Sequence, residues 1–143
     1  MPSVAYSEGL LFGYRWYDHH AVAPLFEFGF GLSTTTFSFS ALKATATSVS
    51  FTLANTGGRA GKAVPQLYLG FPAASGEPPK VLRGFTKIAL APGASTTVTL
   101  PLTDRDLSVF DEDIHDWRVV TGQFAVYVGA SSRDLALTGA FTR

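Results

Sequence analysis

Ser48-Val49-Ser50-Phe51-Thr52-Leu53-Ala54-Asn55-Thr56-Gly57-Gly58 decides the fold class. Val49, Phe51 and Leu53 alternate with Ser48, Ser50 and Thr52, which is the period of a strand with one face buried and one face wet. Asn55-Thr56-Gly57-Gly58 then supplies turn chemistry. The same alternation recurs on both sides: Phe37 and Phe39 among Thr36, Ser38 and Ser40, then Val98, Leu100 and Leu102, then Phe124, Val126 and Val128. Leu67, Leu69 and Phe71 predict a more fully covered strand. Leu82, Phe85, Ile88 and Leu90 predict another, with Gly84 as a candidate bulge. Pro78-Pro79, Pro92-Gly93 and Thr121-Gly122 separate these stretches. Seven or eight short strands at intervals of about 8 to 12 residues, with little helix, point to an all-β sandwich.

Bulk properties limit the functions open to such a chain. Its 143 residues suit one core, and 46% hydrophobic against 15% charged residues leaves ample material to bury. Eleven basic and eleven acidic side chains cancel without forming blocks, so nucleic acid and anionic membrane are poor partners. The absence of cysteine excludes disulfides, thiolate nucleophiles and thiolate-bound zinc. Residues 1–32 lack the features of a secretion signal, and no apolar run has membrane-helix length. The start reads as a boundary inside a longer polypeptide.

Residues 1–32 follow neither strand nor helix period. Tyr6, Phe12, Tyr14, Trp16, Tyr17, Phe26, Phe28 and Phe30 crowd this segment. A stretch so aromatic and aperiodic is expected to lie as an extended arm against another surface. That surface is either the sandwich itself or a domain the chain lacks.

Candidate chemistry is sparse. Hydrolysis by a general acid and a nucleophile or base needs two carboxyl groups held close together across one site, whereas the carboxylates here sit mostly in turns. Asp111, Glu112, Asp113, His115 and Asp116 lack a calcium-loop register and read as a solvated hairpin turn. His19 and His20, adjacent on an extended arm, should point apart and make a poor metal pair. Ser131-Ser132 reads as turn chemistry, and no nucleophile elbow is present. Arg15, Arg83 and Arg105 each neighbour aromatic or acidic residues and are expected to pair within the module, with Arg15 placed to reach beyond it. The reading predicts no catalytic residue, no metal and no cofactor.

The order of short motifs resembles one enzyme family. Tyr6-Ser7-Glu8-Gly9, Gly13-Tyr14-Arg15 and Tyr17-Asp18 are followed by Phe26-Glu27-Phe28-Gly29-Phe30-Gly31-Leu32-Ser33. Asn55-Thr56-Gly57, Gln66-Leu67-Tyr68 and Leu82-Arg83-Gly84-Phe85 come next, then Arg105-Asp106-Leu107-Ser108 and Val128-Gly129-Ala130-Ser131-Ser132-Arg133-Asp134. Together they resemble the C-terminal fibronectin type III-like domain of family 3 β-glucosidases, with Thr34 and Phe110 standing where other aromatics are usual. The Phe-Glu-Phe-Gly form is similar to secreted fungal members.

The resemblance implies an immunoglobulin-like, fibronectin type III-like sandwich of about seven strands over residues 33–143, preceded by the arm at 1–32. It implies a noncatalytic module of an extracellular enzyme, whose catalytic carboxylates lie in domains absent here and are its expected partners. The interface is expected at Tyr6, Glu8, Tyr14, Arg15, Trp16, Tyr17, Phe26, Phe28 and Phe30. The alternative is an accessory module that binds polysaccharide or lignin through exposed rings such as Trp16, Tyr17 and Tyr68.

Overall fold

The computed structural model describes residues 3–143. One short helix, α1 (Tyr14–His19), precedes eleven strands among the described residues: β1 (Phe37–Ala44), β2 (Ser48–Asn55), β3 (Gly61–Ala63), β4 (Gln66–Gly70), β5 (Val81–Phe85), β6 (Ile88–Leu90), β7 (Ser95–Pro101), β8 (Ser108–Asp111), β9 (Asp116–Val119), β10 (Gln123–Gly129) and β11 (Leu137–Thr142). Seven of them build two antiparallel sheets, one ordered β1-β2-β7 and the other β11-β10-β4-β5. The chain passes from the first sheet to the second after β2, returns before β7 and crosses again before β10. The two remaining pairs, β3-β6 and β8-β9, are short ribbons.

The alternation sets the register. Val49 lies opposite Leu100 and Phe51 opposite Val98 in one sheet, while Leu67 faces Val128 and Leu69 faces Val126 in the other. Because side chains alternate, these residues share the inner faces and form one cluster with Leu53, Leu107, Val109, Phe124 and Phe141. Phe124 stacks on Phe141 at 5.3 Å and meets Phe71 edge-on at 5.0 Å. A slip of one residue would turn Phe51 or Phe124 to water, so burial fixes the pairing.

Two expectations change. Leu82 to Leu90 is not one strand: β5 ends at Phe85, and β6 pairs with β3 in a separate ribbon. The register between β4 and β5 does slip beside Gly84, but the residue left without a partner is Arg83. The chain leaves the sheet after this slip because β5 is its edge, and Phe85 is consequently 67% exposed. The second change is in the arm, which is not extended throughout. Tyr14–His19 turn once and a half into α1, too short to show a helical period. The His20 ring stacks on Trp16 one turn earlier at 4.3 Å, and the His19 and His20 rings lie 5.0 Å apart rather than diverging.

The acidic run from Asp111 to Asp116 is the turn of the β8-β9 hairpin, closed by Arg118 Nε donating to Asp111 Oδ2 at 2.8 Å. That hydrogen bond, with backbone donors from Asp113 and Ile114, holds the Asp111 carboxyl below the usual carboxylate range. Asn55 is buried and fully bonded: its Nδ2 donates to the carbonyls of Arg59 and Leu90, and its Oδ1 accepts from Thr35 Oγ1 and Gly57 N. One side chain thereby joins the segment leading into β1, the loop after β2 and the end of β6. Gly57 completes the knot, since a Cβ there would collide with Thr35 Oγ1.

Candidate docking surface

All five residues of β4 are buried. Leu67 and Leu69 face the core, so Gln66 and Tyr68 face the other way, where a two-layer sandwich alone would leave them in water. The arm covers them. The Tyr14 ring meets Tyr68 edge-on at 5.6 Å and lies 5.4 Å from Phe28, and its Oη accepts the Leu82 backbone N–H at 2.8 Å. Tyr68 Oη donates to Gln66 Oε1, and Gln66 Nε2 donates to the Ala130 carbonyl at 3.1 Å. Burial, with the Tyr14 and Asp18 charges behind it, raises the Tyr68 phenol pKa well above its ordinary value. Tyr68 is therefore not the exposed sugar-stacking ring the alternative reading required.

A three-membered ion cluster fastens the arm beside these rings. Asp18, on α1 and only 7% exposed at its side chain, pairs with Lys80 Nζ and with Arg133 Nε at 2.9 Å. Arg133 Nη2 also donates to the Val22 carbonyl, the Ser132 N–H to the Phe28 carbonyl at 2.8 Å, and Ser131 Oγ to Glu27 Oε1 at 3.0 Å. Ser131 Oγ does receive the Asp134 N–H of its own turn at 2.8 Å, as turn chemistry predicts. Its contact with Glu27, 104 residues away, lay beyond local reading. The signal that could have found it was the placing of Glu27 and Ser131 in two separate motifs of one ordered series. Gly29 has φ 88°, and a Cβ there would run into Gln66 Nε2, so the arm can pass over the sheet at that point only as glycine.

The expected interface residues divide into two sets. Tyr14 turns toward the sheet, and Phe28, half exposed, lies against the Tyr14 ring. Tyr6 is 82% exposed and Phe26 66%, with Phe26 5.2 Å from Phe30. Glu8, Trp16 and Tyr17 line a shallow groove with Phe12 on the outer side of the arm. Trp16 and Tyr17 meet at 85°, so they offer no coplanar platform for sugar rings. Arg15 rests over Phe12 at 4.9 Å. A second groove, of about 390 Å³, runs between Phe30 to Ser33, Phe37, Phe39 and the Lys62 to Val64 segment. No group of three or more metal-ligating side chains occurs among the described residues.

Two sheets of three and four strands, in this order and sealed by one core, define a fibronectin type III-like module. Residues 63–132 match the family model of the fibronectin type III-like domain. The chain is 43% identical, over 96% of its length, to probable β-glucosidase L of Emericella nidulans, of which it spans 22%. It superposes with a TM-score of 0.89 on β-glucosidase D2-BGL from Chaetomella raphigera, at 40% identity, covering 96% of this chain and 23% of that one. For β-glucosidase 3B from Thermotoga neapolitana, solved in complex with glucose, the TM-score is 0.86 at 42% identity, covering 96% and 20%. This chain carries the fibronectin type III-like domain of the family 3 β-glucosidases. It spans about a fifth of the length of the β-glucosidases it matches.

Proposed function

We propose that the chain is a noncatalytic C-terminal module of a secreted family 3 β-glucosidase, which docks against the catalytic domains through the outer side of its arm and stabilises them. One observation carries this reading. Of seventeen large apolar side chains exposed among the described residues, twelve lie between Val4 and Leu32, Leu25 at 91% and Leu32 at 96% among them. The same segment is bonded to the sandwich on its other side, so these side chains are held outward on a fixed support. An apolar surface of that concentration on a structured base is the kind that protein interfaces use. The similarity to β-glucosidases over nearly the whole chain supplies the partner: their remaining four fifths.

The test compares the isolated chain with the full polypeptide that joins it to its catalytic domains. Leu25→Ser with Phe26→Ser should leave the unfolding temperature of the isolated chain unchanged, because both side chains face water there. The full polypeptide should inactivate several degrees earlier, since a buried Leu or Phe contributes about 1.5–3 kcal/mol. Equal behaviour of both full-length proteins would remove the docking role. Hydrolysis of an aryl β-glucoside by the repurified isolated chain would remove the noncatalytic one.

A further inference from the structure

Four strands end the two sheets, and three of these edges are closed. β1 and β11 adjoin on one side of the sandwich, where Leu42 packs so near Gly139 that a Cβ there would meet it at 2.9 Å. β1 is also broken by a bulge between Ser40 and Lys43. β5 carries the bulge at Arg83, and the Tyr14 hydroxyl takes its Leu82 N–H. β7 is the fourth edge. It pairs with β2 without a slip, from Ser95 opposite Ala54 to Pro101 opposite Ser48. No charged residue lies between Lys87 and Asp104.

The ladder fixes which groups of β7 stay open. Asn55 N donates to the Ala94 carbonyl and Leu102 N to the Thr47 carbonyl, each at 2.9 Å. By alternation Thr96, Val98 and Leu100 bond inward to β2, and Ser95, Thr97 and Thr99 turn their N–H and C=O groups to the free side. No group among the described residues bonds to them there. Pro101, next in the series, has no N–H to lose at an edge. Between Ser95 and Leu100 the strand has no charge, proline or bulge, the devices that keep an edge from pairing with another chain.

The open groups are self-complementary. In an antiparallel pairing about a two-fold axis, Thr97 meets Thr97 of a second copy and Ser95 meets Thr99, and each of the three residues gives one N–H and takes another. Only exposed hydroxyls then face each other on the outer surface, where Ser40, Thr52 and Thr97 already lie in one row. Lys43, two strands away, is the nearest charge on that surface among the described residues, so nothing repels the second copy. The arm covers the four-stranded sheet, and β7 belongs to the other layer.

We infer that β7 is a self-association edge, which joins the three-stranded sheets of two copies of this chain into one continuous sheet. The inference is independent of the docking reading, because pairing at β7 leaves the outer side of the arm uncovered. The contact is small and polar, so it is weak and depends on concentration.

Sedimentation equilibrium of the chain, from micromolar to millimolar concentration, should show a reversible monomer–dimer equilibrium. Thr97→Lys and Thr97→Asp each set like charges opposite one another across the axis and should weaken it about tenfold or more. Because residue 97 meets itself, an equimolar mixture of the two variants should recover it. A chain monomeric throughout, variants that pair as well as the wild type, or a mixture that stays monomeric overturns the inference. Leu25→Ser with Phe26→Ser runs alongside: dimers lost there and kept in Thr97→Lys belong to the arm and overturn it too. Amide exchange tests the edge without substitution. Protection of the Thr97 and Thr99 N–H groups should rise with concentration, while Val98, bonded to β2, stays protected at every dilution. Protection of Thr97 and Thr99 in the full polypeptide that does not change on dilution would mean that a strand of the same polypeptide holds the edge, which excludes the second copy.

Discussion

Tyr68 shows how one residue is set by what covers it. Its strand position directs it away from the core, yet it is fully buried because Tyr14 and Lys80, the partner of Asp18, close over it. Burial disfavours the phenolate, so the folded phenol keeps its proton at a pH where the unfolded one, with an ordinary value near 10, releases it. Stability from this group is complete below about pH 10. It falls as pH rises further, at up to about 1.4 kcal/mol per pH unit, until the folded phenol itself titrates. Tyr68→Phe should remove that slope. The variant starts less stable by about 1–3 kcal/mol, because Gln66 Oε1 loses the donor that satisfies it. Urea unfolding of both proteins at pH 8 and pH 11 should show the gap narrowing by about 1 kcal/mol. A gap independent of pH would mean that the phenol is hydrated in the folded chain.

At the scale of elements, the arm is held by charge as well as by its rings. Asp18 sits between Lys80 and Arg133, and both the Asp18 and Lys80 side chains are nearly buried. Removing the carboxylate strands the lysine, so Asp18→Ala should cost about 3 kcal/mol or more. Replacing the pair together by Asp18→Leu and Lys80→Met should recover most of it, because a buried pair often does little better than apolar groups of similar size. Urea unfolding of the three variants measures both steps, and a double variant as weak as the single one would show that the charges also direct the arm. The elements themselves were largely legible: β1, β2, β7 and β10 follow from alternation at Phe37, Val49, Val98 and Phe124, because each has one dry face. The β5-β6 break was not, since Leu82, Phe85, Ile88 and Leu90 spread apolar side chains across it and only the crossing to a second ribbon separates its halves. Nor was α1, whose six residues bury nothing fully and so leave no periodic trace.

For the whole molecule, sequence pattern foretold a sandwich and an aromatic segment that must lie on something, but not which surface it meets. That surface depends on pairs such as Glu27 with Ser131 and Tyr14 with Leu82, 104 and 68 residues apart, which no local period encodes. Because the arm supplies the cover over Tyr68 and Gln66, arm and sandwich should unfold as one cooperative unit. This can be read from two probes. Trp117→Phe leaves Trp16 as the only tryptophan, a reporter on α1 alone, while the far-ultraviolet signal reports the sheets. In that background the two urea transitions should coincide. Adding Asp18→Ala should part them, the fluorescence midpoint falling first as α1 lifts from Lys80 and Arg133 while the core around Phe51 and Phe124 stays closed. Separate transitions before Asp18 is changed would mean that the arm is only laid on the sandwich; transitions that still coincide afterwards would mean that Tyr14, Phe28 and the Ser131 loop hold it without the charge.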